Sequence, residues 1–294
     1  MTGPYQHYVP QYYLKTFANE DGLYVFDKKK KDFLSQNRIP VSKIAFAKNF
    51  YDLDPKDLSK FLINETDNRL FVDNLIGKYN EQVSAPLINS FIDLGEMVYV
   101  YKEMNIVSLI RSNDIIDFLM VQLFRTPFFR KQFEFIARDI HKKHFDKTEL
   151  RRRHSIDLLS KTVHGVYIIS AICNTDIWKN SHNKHLLKPQ FRFIELEVID
   201  KFKQLKKMSK SLCVSAIDSY FLTSDNPIVI SQTRKGNINL LYFPITKRCS
   251  ISFSKIKETN KSVIIINDNR KKVLLEQNRV MRDWAYRFIY SYDK

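Results

Sequence analysis

Glycine is scarce. The chain has six among 294 residues, and none stands near enough to another to build the Gly-rich loop that cradles a phosphate or a dinucleotide. No Gly-x-Ser-x-Gly elbow and no His-Glu-x-x-His zinc helix occurs, which removes the common hydrolase and metalloprotease signatures. Proline is limited to nine residues, so no Gly/Pro-rich stretch is available as a flexible linker. Cys173, Cys213 and Cys249 are the only cysteines. Their odd number and wide spacing speak against a disulfide framework or a zinc knuckle, and small buried thiols in a reducing compartment are expected instead.

Long apolar runs are missing too. The run Thr162 to Thr175 is short for a bilayer and holds His164 and Asn174. Met1 to Lys15 lacks the charged and apolar regions of a secretory signal. The expectation is a cytoplasmic protein with no membrane contact.

What the chain has is core-forming material and positive charge. Hydrophobic residues make up 44% and aromatics 13%, enough to bury a sizeable core and to exclude a disordered chain. Lys and Arg total 48 against 32 Asp and Glu, a formal +16. Such a field attracts polyanions, nucleic acid foremost; a Lys-, Asn- and Ile-rich composition also produces it with no function attached. Two tracts concentrate the charge. Arg138 to His154 includes the triplet Arg151, Arg152 and Arg153, whose planar forks suit phosphate. Lys201 to Lys210 holds lysines and no acid, and a solvated helix face accounts for it equally well.

The periodicity predicts an α+β protein, helix-rich over its first two thirds and strand-rich in the last. It reads as a single domain over 1–294, with a possible division into 1–190 and 191–294. Leu23 to Phe26 and a run from Phe33 flank Asp27-Lys-Lys-Lys-Lys-Asp32 and suggest a small early hairpin. Ser42 to Phe46 suggests a short helix. Helical spacing runs from Lys56 to about Leu94, with Pro86 expected to divide it, and again from about Asp114 to Lys143, with a break at Pro127. A third helix is expected over Ser155 to Lys179, and Met97 to Tyr101 reads as a short strand or loop. Beyond Phe191 short runs read as strands, Phe191 to Leu196 first among them. A closing helix is expected over Arg270 to Phe288.

A few polar residues stand where structure alone favours something else. Gln122 and Arg125 sit three apart in an apolar run and so share a helix face. If that face is inward, Arg125 must meet a carboxylate or a bound anion; a structural pair and a substrate contact both fit. Thr223-Ser-Asp225-Asn226-Pro lies between two apolar strands, as an Asx-type turn or as a loop carrying a catalytic carboxylate. The pairs His141/His144 and His182/His185 have helical spacing but lie among basic residues, which repel a metal, so no metal site is expected there.

These pieces, in order, resemble one family. His7-Tyr-Val-Pro-Gln-Tyr-Tyr-Leu14, Asn49-Phe-Tyr51, Gln122-Leu-Phe-Arg-Thr-Pro127, Thr223-Ser-Asp-Asn-Pro227, Leu241-Tyr-Phe-Pro-Ile-Thr246 and Asn278 with Ala285-Tyr-Arg-Phe-Ile-Tyr290 look like the family called domain of unknown function 4238. The resemblance covers His7 to Tyr290. It carries no activity with it, but implies that His7, Gln122, Arg125, Asp225, Asn226 and Asn278 belong to one pattern. It also implies regular glutamates between Lys56 and Leu94, where this chain has only Glu65 and Glu81.

Three functions fit these residues. In the leading one the protein is a nuclease-like hydrolase. His7 acts as base or acid, Arg125 stabilises phosphorane charge, and Asp225 orients His7 or holds a divalent metal. Gln122, Asn226, Asn278 and the Arg151–Arg153 triplet then bind substrate. In the second the chain is a non-catalytic module binding nucleic acid or protein, and His7, Arg125 and Asp225 form a structural polar network. In the third it is an enzyme on a small anionic ligand anchored by Arg125. A defence or toxin role fits the class of protein, with no residue pointing to it.

Overall fold

The computed structural model describes residues 4–294 apart from 54, 63–67, 102–112, 145–148, 180–187, 189–191, 235 and 256–262; of 58, 60, 61, 136–144, 149–155, 177, 179, 192 and 193 it describes the backbone and not the side chains.

The chain opens with a strand, β1 (Tyr5–His7), and a one-turn helix, Gln11–Lys15. Val9 and Pro10 separate them, and Pro10, with ψ 140, hands an extended chain to the helix. The early hairpin follows as β2 (Tyr24–Asp27) and β3 (Asp32–Phe33), paired Phe26 to Phe33 across the lysine-rich turn. Where a short helix is expected, a single 3-10 turn, Val41–Lys43, leads into β4 (Phe46–Lys48). β4 pairs antiparallel with β1, His7 opposite Phe46. Ala45 and Asn49 bracket β4 at φ 54 and 53, a left-handed conformation that costs a residue with a Cβ about 1 kcal/mol.

The helices Pro55–Phe61, Phe71–Tyr79 and Ala85–Tyr101 follow. The expected division at Pro86 lies just upstream, as a π-turn over Asn80–Ser84. Proline has no N–H to continue the ladder and its ring crowds the preceding turn, so the chain widens there. Met97 to Tyr101 is the last turn of the helix, not a strand.

Asp114–Arg125 is the most buried helix. Every residue from Ile115 to Arg125 is buried, the polar Asp117, Gln122 and Arg125 among them. Asp114 and Asp117 occupy its first turn, where the helix dipole favours anions. It stops at Thr126, extended at ψ 152 because Pro127 follows, and Pro127 opens the next helix, Pro127–His144.

Glu149–Cys173 then forms the hub, packed by Phe71–Tyr79, Asp114–Arg125, Pro127–His144 and Arg192–Lys206. Its segment Ile156–Cys173 is long and apolar enough to cross a membrane, more than the sequence run suggests, and 67% of it is buried inside the protein. A short helix, Asp176–Lys179, follows. The expected strand at Phe191 to Leu196 is helical wherever it is described, from Arg192 on. Ile194, Val198, Phe202 and Leu205 are buried, a spacing near 3.6 that outweighs the brief alternation of Phe191 and Phe193.

Beyond the β1–β4 pair, the strands gather in two larger sheets. β5 (Ser209–Ser215), β7 (Val229–Gln232), β8 (Ile238–Pro244), β9 (Cys249–Ser254) and β10 (Val263–Ile266) form one, in the order β10-β5-β9-β8-β7, antiparallel except for β10 beside β5. The closing helix is shorter than expected, Lys271–Trp284. The chain then turns into β11 (Phe288–Ser291), which lies between β2 and the short β6 (Thr223–Ser224). The N-terminal hairpin is thus stitched to the C-terminus. Tyr13 joins the parts: its buried hydroxyl donates to the Pro244 carbonyl and accepts from Thr223 Oγ1, both at 2.7 Å. One continuous apolar core runs from Tyr8 to Tyr290.

Candidate functional site

A cleft of about 750 Å³ lies along β1 and is lined by His7, Gln11, Tyr12, Asp73, Asn80 and Arg125, among others. β1 brings His7 to it, with Tyr5 and His7 both edge-on to the Phe46 ring of β4. The turn at Pro10 starts a helix at once, which sets Gln11 four residues on and within reach: Gln11 Nε2 lies 2.8 Å from His7 Nε2. With the amide oriented to donate, Nε2 accepts and the ring proton sits on Nδ1. Burial, and then the Arg125 charge, lower the His7 pKa below 6.5; the Ile44 carbonyl offsets part of this. His7 is therefore neutral at pH 7 and able to take a proton.

Arg125 ends its helix pointing into the same cleft, a cation at the favourable end of the dipole. It is 3% exposed. Its Nη2 donates to the His7 carbonyl at 2.9 Å, Nη1 to Asn80 Oδ1 at 3.2 Å and Nε to the Tyr51 hydroxyl at 3.4 Å. All three acceptors are neutral oxygens, and Arg125 makes no ion pair among the described residues. A guanidinium has five N–H donors, so about two remain for a ligand. Asn80 stands at the first position of the π-turn, where the widened helix delivers its side chain to Arg125 and to the Tyr12 hydroxyl, 3.3 Å away.

Carboxylates complete the lining. Burial raises the Asp73 pKa, with Asp52 adding to the effect and Arg125 and Gln6 opposing it. Buried Gln6 fixes the cleft wall, donating to Asp52 Oδ1 at 2.8 Å and accepting from the Tyr51 N–H at 2.6 Å. Arg69 grips the other Asp52 oxygen at 3.1 and 2.5 Å. Glu81 and Lys78 also line the cleft. Such a place can bind an anion at Arg125, accept a proton at His7 and return one from Asp73.

The other residues of the sequence pattern lie elsewhere. Gln122 shares the inward face, but its Nε2 is spent on the Tyr8 carbonyl at 3.2 Å, the residue after His7. Gln122 and Arg125 thus hold consecutive carbonyls of the entry strand. Asp225 does not orient His7. Its two oxygens accept the Tyr286 and Arg287 N–H groups at 3.0 and 2.9 Å, and its own N–H donates to the Phe288 carbonyl. Burial raises its pKa to about 6 against those backbone donors. It is the tie between the Thr223–Pro227 turn and β11. Asn278 is a second tie, its carboxamide accepting from the Leu222 N–H at 2.8 Å and donating to the Tyr220 carbonyl at 2.9 Å. Asn226 is fully buried, and neither carboxamide atom has a hydrogen bond among the described residues. Arg151, Arg152 and Arg153 lie on the hub helix near its start, with side chains outside the described residues, as are those of His141 and His144; His182 and His185 lie wholly outside them. Among the described residues no three His, Cys, Asp or Glu side chains are placed to share a metal.

Sequence reasoning missed Gln11, Tyr51, Asp73 and Asn80 as site residues. Gln11 and Tyr51 fall within recognisable pieces of the pattern. Asp73 and Asn80 carry no signal, being polar residues on an amphipathic helical stretch.

No curated protein and no solved structure matches the chain. A family model described as "Protein of unknown function (DUF4238)" matches residues 5–294, nearly the whole length, and takes in every piece of the sequence pattern. The chain belongs to that family.

Proposed function

We propose that the Arg125–His7 cleft is a phosphoester-hydrolysing site acting in the cytoplasm on nucleotides or nucleic-acid ends. The observation that carries this is the Arg125 guanidinium, buried at the cleft and bonded, among the described residues, only to neutral oxygens. A buried cation is costly unless neutralised, and a bound phosphate supplies two charged oxygens to its unused donors. Neutral His7, its Nε2 released by the Gln11 amide, takes a proton from water as the water oxygen bonds to phosphorus. The ester P–O bond breaks, and the leaving oxygen receives a proton from Asp73, whose raised pKa keeps more of it protonated. Asp73 and Glu81 in the lining disfavour a long polyanion threaded through the cleft and favour a single terminal phosphate.

The test incubates wild type, His7→Asn and Arg125→Lys with labelled RNA, single-stranded DNA, duplex DNA and a mononucleotide, with and without magnesium or manganese. Turnover by wild type alone, with melting temperatures preserved, supports the proposal. A second reading, in which the residues are a structural network, is favoured by the way Gln122 and Arg125 clamp the Tyr8 and His7 carbonyls. It predicts no turnover by any form and a large loss of melting temperature in Arg125→Lys.

A further inference from the structure

Away from the cleft, rings and cations alternate in an unbroken row. Lys294 Nζ lies 5.8 Å from the centre of the Phe33 ring and 5.3 Å from that of Tyr24. The Arg38 guanidinium is 4.8 Å from Tyr24 and 5.4 Å from Tyr292. Lys247 Nζ is 4.6 Å from Tyr292 and 5.5 Å from Tyr220. Arg248 continues at 5.2 Å from Tyr220 and 3.7 Å from Tyr99. Tyr220 and Tyr292 also touch each other, their centres 4.7 Å apart. All five rings are half-buried, each held in place yet reachable from solvent. Beside them runs a groove of about 560 Å³ whose lining includes the apolar Phe26, Leu222, Leu275 and Ile289, with Asn278 and Arg282, and the carboxylates Asp218 and Asp293, which face Arg248 and Arg38.

Carboxylates are present: Asp293 is 4.0 Å from Arg38, and Asp218 and Glu96 are 3.8 and 3.4 Å from Arg248. Lys247 and Lys294 make no ion pair among the described residues. Cation–ring contacts at a surface are weak, about 0.5–1 kcal/mol each. A row of them is thus a poor stability device but a well-ordered display of flat faces and positive charge.

We propose that this row and its groove bind single-stranded nucleic acid, phosphates on Lys294, Arg38 and Lys247 and bases on the rings and in the groove, while buried Arg248 holds the Tyr99 and Tyr220 rings in place. Sequence-tolerant strand binding needs both elements interleaved, because every base has a face to stack and every nucleotide a phosphate to neutralise. A duplex keeps its bases inside and can use the cations alone. The formal +16 of the chain draws any such strand in. The row shares no lining residue with the Arg125 cleft, so strand binding here does not rest on hydrolysis there.

The test is fluorescence polarisation of the full chain with labelled dodecamers of single-stranded RNA, single-stranded DNA and duplex DNA at several salt concentrations. Tyr220→Leu with Tyr292→Leu keeps apolar bulk and removes the rings; Lys247→Gln keeps the rings and removes a charge. The proposal expects single strands to bind more tightly than duplex, and roughly tenfold weaker binding in the double ring variant. Lys247→Gln should lower the salt slope by about 0.7. His7→Asn should leave strand binding unchanged, whatever it does to hydrolysis. Equal affinity for single strand and duplex would overturn the proposal, as would no binding, or binding that ignores the ring variants at wild-type melting temperature. If the ring variants do not fold, an unchanged salt slope in Lys247→Gln overturns it.

Discussion

Arg125 donates through Nη2 to the main-chain oxygen of His7 at 2.9 Å. One bond therefore links a buried cation at the end of the most buried helix to the strand that carries the imidazole. Because the acceptor is a carbonyl and not a carboxylate, this bond positions Arg125 without neutralising it. That combination separates an anion-binding arginine from a structural one.

Giving Arg125 a carboxylate should silence the cleft. In Asn80→Asp the Oδ1 that Nη1 already contacts at 3.2 Å becomes charged. Calorimetric titration with inorganic phosphate should show affinity falling roughly tenfold, about 1.4 kcal/mol, with a melting temperature equal to or above wild type. Unchanged phosphate affinity would mean that Arg125 is not the anchor.

Asp225→Ala should fail in stability first. It leaves the Tyr286 and Arg287 N–H groups without their acceptor, a loss of about 2–3 kcal/mol readable by urea denaturation. If instead turnover vanished while stability stayed intact, Asp225 would be returned to the chemistry.

Hydrolysis should lose rate on acidification. The His7 pKa lies below its ordinary 6.5, so a general base there is protonated, and inactive, only below that pH. The kcat/KM profile should fall on its acid side with a midpoint under 6.5, and an acid limb centred higher would contradict the role assigned to His7.

Stability should carry an acid-sensitive term from His164. Burial, and then the Arg130 charge, push its pKa down to about 3, although its Nε2 lies 2.6 Å from the Phe124 carbonyl. The unfolded chain takes up this proton near pH 6.5 while the folded one stays neutral. The unfolded state thus binds more protons, and stability is lost as pH falls below about 6.5 at up to about 1.4 kcal/mol per unit. Asp225, raised to about 6, acts with the opposite sign, favouring the folded state as pH falls from about 6 toward 4. Denaturation of wild type beside His164→Gln between pH 6.5 and 4.5 isolates the histidine: the variant should lack about one proton's worth of slope.

Much of this was legible from residue patterns. The helix around Gln122 and Arg125, its break at Pro127 and the early hairpin follow from local periodicity and proline chemistry. β11 was not legible, because Phe288 looks like the end of the preceding helix and nothing local marks Ile289 and Tyr290 as a strand. Only pairing with Phe26 and Val25, far back in the chain, makes them a strand. Asp225 misled for the same reason: a carboxylate in a tight turn looks alike whether it faces substrate or caps two N–H groups brought from the distant C-terminus. Asn80 was hidden because its role depends on a π-turn, set by Pro86 in a way that spacing alone does not reveal.

The most direct measurement is a crystal structure of the protein grown with a mononucleotide. The account predicts a phosphate oxygen within about 3 Å of Arg125 Nη1 or Nη2, beside His7, with the bond from Nη2 to the His7 carbonyl retained. A phosphate bound elsewhere, with Arg125 paired to Asp73 across the cleft, would contradict it.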